Sequence, residues 1–285
     1  MSFRIPEIGF GGKRISGALD RLLASPSPQD TESAPKKRRT KSNSALGDGW
    51  IRLEGRQHGN YQYDDLYVAM HRLGYDEDVE KIVQELGLAV QKTAREKDGT
   101  PYIGGIDWEQ AINLNLRLGN FTLNPRQFFD LSSDLRAGIR EKKKLYDAKG
   151  NEIDSDRLKI MSNEIWGKRE PWRSEWLDAR FNEHNGTIYM ESEHRLDVQD
   201  KLVNNYSNPL EACIREEGLV SIARINNQGL PTKSIDKETL YFWPPVNGRV
   251  AWFGANSAWA NLSCVRYPSY RVAQLGVRAV RRASP

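Results

Sequence analysis

The sequence predicts an α+β fold, with helices mainly in the N-terminal half and a small, irregular antiparallel sheet in the C-terminal half. Two observations predict this class. Between residues 61 and 167, apolar residues recur at the three- and four-residue spacing of amphipathic helices. After residue 170 the spacing shifts towards two, and Gly, Pro and Asn interrupt the short apolar runs. Helices followed by strands are typical of α+β domains.

The N-terminal segment, residues 1–48, is predicted to precede one folded domain, 49–285. Its stretch ISGALDRLL (15–23) has the apolar spacing of a short helix. Residues 24–49 are rich in Ser, Pro and charge and have almost nothing to bury, which predicts a solvated linker. Within it, PKKRRTK (35–41) resembles a nuclear-import signal. The net charge of the chain is +4, and the charges of this basic run account for it, so the rest of the chain is close to neutral.

Five helices are predicted after the linker, and two of them carry clear start signals. Asp107 is a predicted N-cap, because its carboxylate can accept from the first free backbone N–H groups. Asn124 is a second N-cap, followed by Pro125 in the first turn. The five segments are 61–75, 76–97, 105–119, 123–138 and 155–167.

The strands are predicted from alternation. Residues 176–196 alternate around Asn185–Gly186, a dipeptide favoured in tight hairpin turns. A short helix is predicted at NPLEACIREEG (208–218), opened by Asn208–Pro209. The remaining short strands are 219–223, 239–243, 249–253, 261–265 and 275–280.

The sequence indicates no catalytic, metal or cofactor site. No two of its four histidines have the i, i+4 spacing of helix-borne metal ligands, and no phosphate-binding glycine loop or nucleophile elbow is present. Cys213 and Cys264 are predicted to be buried, reduced thiols, which suggests a cytoplasmic protein. No apolar run reaches the roughly 18 residues of a membrane span, and no signal peptide or nucleic-acid-binding module is recognisable.

The segment Trp252–Gln274 interleaves two kinds of residue. On an extended chain, side chains alternate between faces, so Phe253, Ala255 and Ser257 point one way. Leu262 and Cys264 are also predicted to face the core. The opposite positions are predicted to be contact residues, followed by a polar and aromatic loop: Trp252, Gly254, Asn256, Ala258, Asn261, Ser263, Val265, Arg266, Tyr267, Ser269, Tyr270 and Arg271.

The composition of this segment is that of a binding loop. Trp, Tyr, Ser, Asn, Gly and Arg supply twelve of its 23 residues. Rigid aromatic side chains give contact area at low entropic cost, and small polar ones adapt to a partner. An ordinary strand pair whose aromatic side chains fold back onto the core explains the composition equally well.

Several motifs in the same order resemble one family. They are YDDLYVAMHRLGY, LNPRQFFDL, YDAKGNEID, EPWRSEWLDARF, NNQGLPTK, LYFWPPVNGRVAWF and LGVRAVR. Together they resemble the variable proteins of archaeal diversity-generating retroelements, from about Trp50 to Arg281. That family has a C-type-lectin fold related to the formylglycine-generating enzymes.

The resemblance implies a ligand-binding protein whose surface is rewritten genetically. In such systems a reverse transcriptase copies a template with errors at adenines and replaces the 3′ end of the target gene. The expected partner is a macromolecule of unknown identity, and a protein is favoured. In the variable region, about 250–280, the resemblance adds Trp259 and Ala260 to the contact positions. It makes the following residues scaffold: Phe253, Ala255, Ser257, Leu262, Cys264, Pro268, Leu275, Gly276, Val277 and Arg278.

Two alternatives stay open. One is an oxidase of the formylglycine-generating type on the same fold, although that chemistry uses closely spaced cysteines and Cys213 and Cys264 are far apart in sequence. The other is a nuclear or nucleic-acid-associated protein, which depends only on PKKRRTK.

Overall fold

In the computed structural model, which describes residues 46–235 and 240–283, helices cover both faces of an eight-stranded sheet. The described residues lie within one unit of the chain, Lys41–Pro285. The α+β class is confirmed. The main sheet is larger than predicted and mixed, because two of its strand pairs are parallel. The predicted helix at 15–23 and the basic run PKKRRTK fall outside the described residues.

The described part of the chain contains four helices and thirteen strands. The helices are α1 Glu77–Glu85, α2 Trp108–Arg117, α3 Pro125–Arg140 and α4 Ser155–Trp166. The first four strands are β1 Trp50–Leu53, β2 Arg56–His58, β3 Tyr61–Tyr63 and β4 Leu66–Ala69. After the helices come β5 Arg173–His184, β6 Thr187–Leu196, β7 Leu202–Pro209, β8 Gly218–Val220, β9 Leu240–Trp243, β10 Arg249–Ala255, β11 Ala260–Arg266, β12 Leu275–Gly276 and β13 Val280–Arg282.

The main sheet has the strand order β7-β6-β5-β10-β11-β9-β8, with β12 added beside β5. Its interior strands β10 and β11 are therefore paired on both sides. A second sheet, β1-β4-β13, joins the start of the domain to its last strand. The hairpin β5–β6 turns at Asn185–Gly186 as predicted, and both residues have positive φ, as this tight turn requires.

The helix starts were predicted well because their signals are local. Asp107 and Asn124 both form capping boxes. In each, the cap side chain accepts a hydrogen bond from the N3 backbone N–H, and the side chain of the glutamine at N3 accepts one from the backbone N–H of the cap residue. The predicted helix 76–97 ends much earlier, at Glu85. Gly87 follows with φ +61, and such a left-handed residue closes a helix after its last turn.

Two predicted helices are wrong. Residues 61–75 form β3 and β4, and the buried strand β4 pairs with β1 on one side and β13 on the other. Residues 210–217 contain no helix. The backbone N–H groups of Leu210 and Ile214 donate instead to the distant carbonyls of Ile188 and Pro231. In both places pairing with remote chain segments overrides the local apolar spacing.

Two apolar cores lie on opposite faces of the main sheet. The first lies under α3 and α4 and includes Phe128, Phe253 and Leu262. The second lies under α1 and α2 and includes Trp108 and Trp252. Both faces of β10 are consequently buried, which was not predicted. None of the helices in the described ranges has the length and hydropathy of a membrane span.

A buried ion network stabilises the junction of α4 with the segment after it. Glu164 is 2% exposed; it accepts from the backbone N–H of Lys97 at 2.6 Å and from both terminal nitrogens of Arg169, at 3.1 and 2.6 Å. Burial alone would raise its pKa. Hydrogen bonding with Glu96 and Arg169, together with the Arg169 charge, outweighs burial and lowers the pKa from 4.5 to about 2.

We expect Glu164 to make the fold acid-sensitive. Because its pKa is lower in the folded chain than in the unfolded one, its stabilisation is complete above about pH 4.5 and is lost as the pH falls towards 2. In Glu164→Gln the free energy of unfolding should be lower at pH 7 and should depend less on pH across this window. Urea unfolding at a series of pH values measures both. Glu85→Gln, an exposed change, is the control, and an unchanged slope in Glu164→Gln would contradict the assignment.

We also expect Phe253 to be a major core residue. Its ring packs against Phe128, Trp166 and Phe129 at centroid distances of 4.5, 4.8 and 6.3 Å. Phe253→Ala should reduce the free energy of unfolding by about 3–5 kcal/mol, as truncation of a buried aromatic side chain does. Tyr267→Ala, at a ring that is 60% exposed, should cost less than about 1 kcal/mol. Similar losses for the two variants in chemical denaturation would show that this description of the core is wrong.

Candidate functional site

The predicted variable region lies at the centre of the main sheet. It comprises β10, a hairpin turn at 256–259, β11 and the loop 267–274 that leads to β12. Because β10 pairs with β5 and β11, and β11 pairs also with β9, the backbone is held on both sides. Side chains then project from a fixed frame, alternately to the two faces.

One face carries the predicted scaffold residues. Phe253, Ala255, Leu262 and Cys264 are all buried in the first core, the side on which they were expected. Leu275, Gly276, Val277 and Arg278 are buried as well. A Cβ on Gly276 would lie 2.8 Å from the ring of Tyr102, so only glycine fits there without displacement.

Ser257 is the exception among the scaffold residues. It is exposed at the tip of the β10–β11 turn, where its hydroxyl donates to Glu170 at 3.0 Å. Alternation fails there because the strand has already ended at Ala255. Pro268, also predicted as scaffold, is half-buried, and its carbonyl accepts from the Trp108 backbone N–H at 3.0 Å.

The opposite face differs from the prediction, because four predicted contact residues are buried in the chain itself. Trp252 is 5% exposed, Asn261 7% and Ser263 1%, and Gly254 is buried too. Ala260, at the first position of β11, is also buried, on the core side. The second core under α1 and α2 extends over part of this face. Part of that cover comes from α1 and α2, more than a hundred positions away, and alternation within one strand cannot show it.

Gly254 has no space for a side chain. A Cβ at this position would lie 2.7 Å from Ser174 Cβ, 2.7 Å from the Trp252 ring and 2.8 Å from the Arg173 carbonyl oxygen. Such distances do not occur without movement of the neighbours. The prediction that Gly254 is an interchangeable contact position is therefore wrong for the described backbone.

A bulge in β11 places Arg266 next to Trp252. In the register, Trp252 pairs with Ser263 and Val250 with Arg266, so β11 has one residue more than β10 over this interval. A bulge of this kind re-aims the side chains that follow it. The Arg266 guanidinium carbon lies 5.2 Å from the centroid of the Trp252 ring and 5.0 Å from that of Tyr270, both within cation–π range.

Two further aromatic residues, which the sequence did not indicate as contact residues, extend this surface. Tyr241 and Trp243 of β9 are half-buried and lie beside Asn261 and Ser263 in the parallel register. Trp259 stacks on Tyr241 at 5.1 Å and 22°. We call this surface the aromatic face and define it as Tyr241, Trp243, Trp252, Trp259, Asn261, Ser263 and Arg266. The alternation in LYFW, with Leu240 and Phe242 fully buried, is the signal that could have indicated it.

The other predicted contact residues lie around this face or in the following loop. Trp259 is 39% and Tyr267 60% exposed, and Ala258, Ser269 and Arg271 are exposed too. Asn256, Val265, Arg266 and Tyr270 are half-buried. Two of these residues form side-chain hydrogen bonds. The Asn256 side chain accepts from the backbone N–H groups of Ala258 and Trp259 at 2.8 and 3.0 Å, which shapes the turn, and Arg271 donates to Asp107 at 2.6 Å.

Several buried polar atoms on the aromatic face have no hydrogen-bond partner. They are Trp252 Nε1, Ser263 Oγ and Arg266 Nε, and Ser174 Oγ on the neighbouring strand β5 adds a fourth. Most buried polar groups in proteins are paired, so these atoms are exceptions. All of them are buried from solvent, so a ligand does not reach them in this conformation.

The cysteine of β11 is not activated as a nucleophile. Burial, with a smaller contribution from Cys213, raises the pKa of the Cys264 thiol well above 9.0, so this cysteine stays protonated and unreactive. Cys213 is half-buried, and both cysteines are free thiols. Within the described residues, no three His, Cys, Asp or Glu side chains form a group that could hold a metal ion.

A groove of about 770 Å³ lies elsewhere, and none of the predicted contact residues lines it. His194 is one of its lining residues. The His194 Nδ1 contacts the Asp178 carboxylate at 2.5 Å, and its backbone N–H donates to the same carboxylate at 2.9 Å. The Trp108 ring packs edge-on against the imidazole at 5.1 Å. These contacts hold the imidazole ring within the fold.

The space around Gly254 gives a direct test of which positions can vary. We expect Gly254→Ser to lower the free energy of unfolding by about 1–3 kcal/mol, because the added atoms overpack the strand pair. Ala258→Ser, at an exposed turn position, should change it by less than about 0.5 kcal/mol. Thermal and urea denaturation of both variants measure the difference. If Gly254→Ser is as stable as the parent chain, position 254 does accept a side chain and belongs among the interchangeable positions.

Comparison with known proteins does not identify a family. No protein-family model matches the chain, and no curated protein matches it. Among solved structures, the chain is similar to one titled "Crystal Structure of CarF", with 9% sequence identity over 82% of this chain and 98% of that chain. The TM-score is 0.32, which is too low for the likeness to indicate a shared fold.

Proposed function

We propose that the chain is a ligand-binding protein of the kind found in diversity-generating retroelements, with a C-type-lectin fold and a C-terminal contact surface that is exchanged genetically. One observation carries the proposal. The segment of the sequence that resembles a variable region lies in a paired strand hairpin and loop, with core residues on one face and aromatic and polar residues on the other.

The frame under this surface supports exchange of its side chains. Phe253, Leu262 and Cys264 anchor the hairpin in the first core whatever residues occupy the exposed positions. A site built on paired strands keeps its geometry better than one built on free loops. Among the predicted contact positions, those that are exposed or half-buried have space for exchange: 256, 258, 259, 265, 266, 267, 269, 270 and 271.

The structural partners narrow the proposed set further. Changing Asn256 would remove the acceptor for two backbone N–H groups of the turn. Changing Gly254 would displace β5 or Trp252. We therefore assign the exchangeable surface to the turn tip, the end of β11 and the following loop. Trp252, Asn261 and Ser263 are buried next to this surface, and we assign them to the fixed frame.

The alternatives gain no support from the described residues. An oxidase needs a reactive thiolate, and burial disfavours the thiolate of Cys264. The nuclear alternative depends on residues 35–41, outside the described residues; binding to DNA with a steep salt dependence would support it.

The DNA around the gene tests the proposal directly. We expect a reverse transcriptase gene and a near-copy of the codons for about 250–280 that differs at adenines. The differences should fall on codons for exposed positions such as Trp259, Tyr267 and Arg271 and spare those for Phe253 and Cys264, since exchange at buried positions would unfold the chain. The absence of a repeat, or differences concentrated on the buried positions, would remove the proposal.

A binding experiment tests the same surface on the protein itself. A ligand selected on the full chain from a displayed random peptide library should lose affinity about tenfold or more on Trp259→Ala, because exposed tryptophans are frequent hot spots. Tyr146→Ala is the matched control: that ring is 37% exposed, against 39% for Trp259, and lies outside the variable region. Equal losses from both variants would show that the selected ligand binds elsewhere.

A further inference from the structure

Two arginines at one end of the β10–β11 pair have no ionic partner in the part of the chain that the structure describes. Arg266 lies over the rings of Trp252 and Tyr270, and Arg249 lies over the ring of Tyr267 at 3.4 Å. Neither forms a salt bridge or a side-chain hydrogen bond there. Each guanidinium is held by aromatic contacts while its charge stays uncompensated.

The nearby acidic groups are already engaged. Asp107, at the start of α2, pairs with Arg271 at 2.6 Å, and Glu109 pairs with Arg180 at 3.2 Å. Intramolecular carboxylates therefore neutralise the neighbouring arginines and leave Arg266 without a counter-charge. The excess positive charge is thus local to this end of the aromatic face.

Arg266 favours an anionic ligand group. Its side chain is half-buried over two rings, and its guanidinium group has hydrogen-bond donors and no acceptor. An uncompensated cation of this kind is matched by a group with several lone pairs and a negative charge. A ligand cation would be repelled, and a purely apolar group could not accept the hydrogen bonds that the guanidinium donates.

A carboxylate fits this site best. The planar guanidinium fork matches the two oxygens of a carboxylate, and a single negative charge balances the single charge of Arg266. The half-buried Tyr270 ring, 5.0 Å from the Arg266 guanidinium carbon, offers flat contact area beside it. Tyr241 and Trp243 offer more along β9, which suits the side chains that flank an acidic residue in a peptide.

We propose that Arg266, held over the rings of Trp252 and Tyr270, is a subsite for the carboxylate of an acidic segment of a partner protein. This inference rests on the proposed function and specifies the chemistry of its ligand. The aromatic face supplies contact area, and Arg266 supplies the charge that selects Asp or Glu at one position of the bound segment.

A random peptide library displayed on phage and selected on the immobilised full chain is the probe. Selected peptides should be enriched in Asp and Glu relative to the unselected library. A synthetic peptide of the selected consensus should bind about tenfold more weakly to Arg266→Gln, since hydrogen bonds to charged groups contribute about that factor. Arg224→Gln, at an exposed arginine outside the variable region, removes the same charge and should leave binding unchanged.

A double-mutant cycle assigns the contact. Changing the peptide's acidic residue to its amide should weaken binding to the parent chain by about the same factor. The same change should hardly alter the affinity for Arg266→Gln. Circular dichroism and thermal unfolding check that the variant folds. If Arg266→Gln does not fold, the acidic peptide and its amide are compared on the parent chain and on Arg266→Lys instead. The inference requires that the amide binds the parent chain more weakly than the acidic peptide does, and that this difference is smaller on Arg266→Lys.

The remaining outcomes distinguish this inference from the proposed function. Peptides that lack acidic enrichment yet depend on Trp259 would overturn the carboxylate subsite and leave the binding surface intact. A thymidine oligonucleotide that binds more tightly than the acidic peptide, and through Arg266, would overturn it in favour of phosphate. Selection that enriches no peptide dependent on Trp259 or Arg266 would remove both proposals.

Discussion

The structure depends on two buried arginines that fix the start of strand β5. Arg278 donates to the Glu175 carboxylate at 2.8 and 3.2 Å and to the carbonyls of Ala69 and Met70. Arg72 donates to the Ser174 carbonyl at 3.1 Å and to Glu96 at 2.7 Å. The end of β4, the start of β5 and the C-terminal segment are thus joined through fully buried charges. Removing one member would leave its partner buried without compensation, at a cost of about 3–5 kcal/mol.

This constraint reaches the aromatic face through β5. Ser174 pairs with Gly254, and Trp176 pairs with Trp252, so the position of β5 sets the position of β10 and, through it, of β11. Within the predicted variable region, the covering groups on both faces of the sheet leave the hairpin tip, the bulged end of β11 and the following loop accessible. The buried ion pairs thus help to set which side chains of the predicted variable region are exposed and which are buried.

The parts of the fold that sequence reasoning predicted are those with local causes. The caps at Asp107 and Asn124 and the Asn185–Gly186 turn depend on neighbouring residues alone, and all three are confirmed. Residues 61–75 were predicted wrongly because Leu66, Ala69 and Met70 have helical spacing by coincidence, while β1 and β13 supply strand partners from elsewhere in the chain.

For the candidate site, the core-facing side of the β10–β11 hairpin was predictable from alternation. The cover over Trp252, the lack of space at Gly254 and the contribution of Tyr241 and Trp243 all come from distant segments.

The bulge in β11 shows why composition alone could not define the contact surface. Alternation counted from Ser263 places Arg266 on the core side, where an unpaired guanidinium would be costly. The extra residue reverses that phase and moves the charge next to Trp252 and Tyr270. The same sequence of residue types without the bulge would have buried the cation and exposed Val265 in its place. The position of one extra residue in a paired strand thus determines on which face of the sheet this charge lies. The bulge also sets the orientation of the side chains that follow Cys264, and the proposed exchange of residues would act on a surface with that orientation.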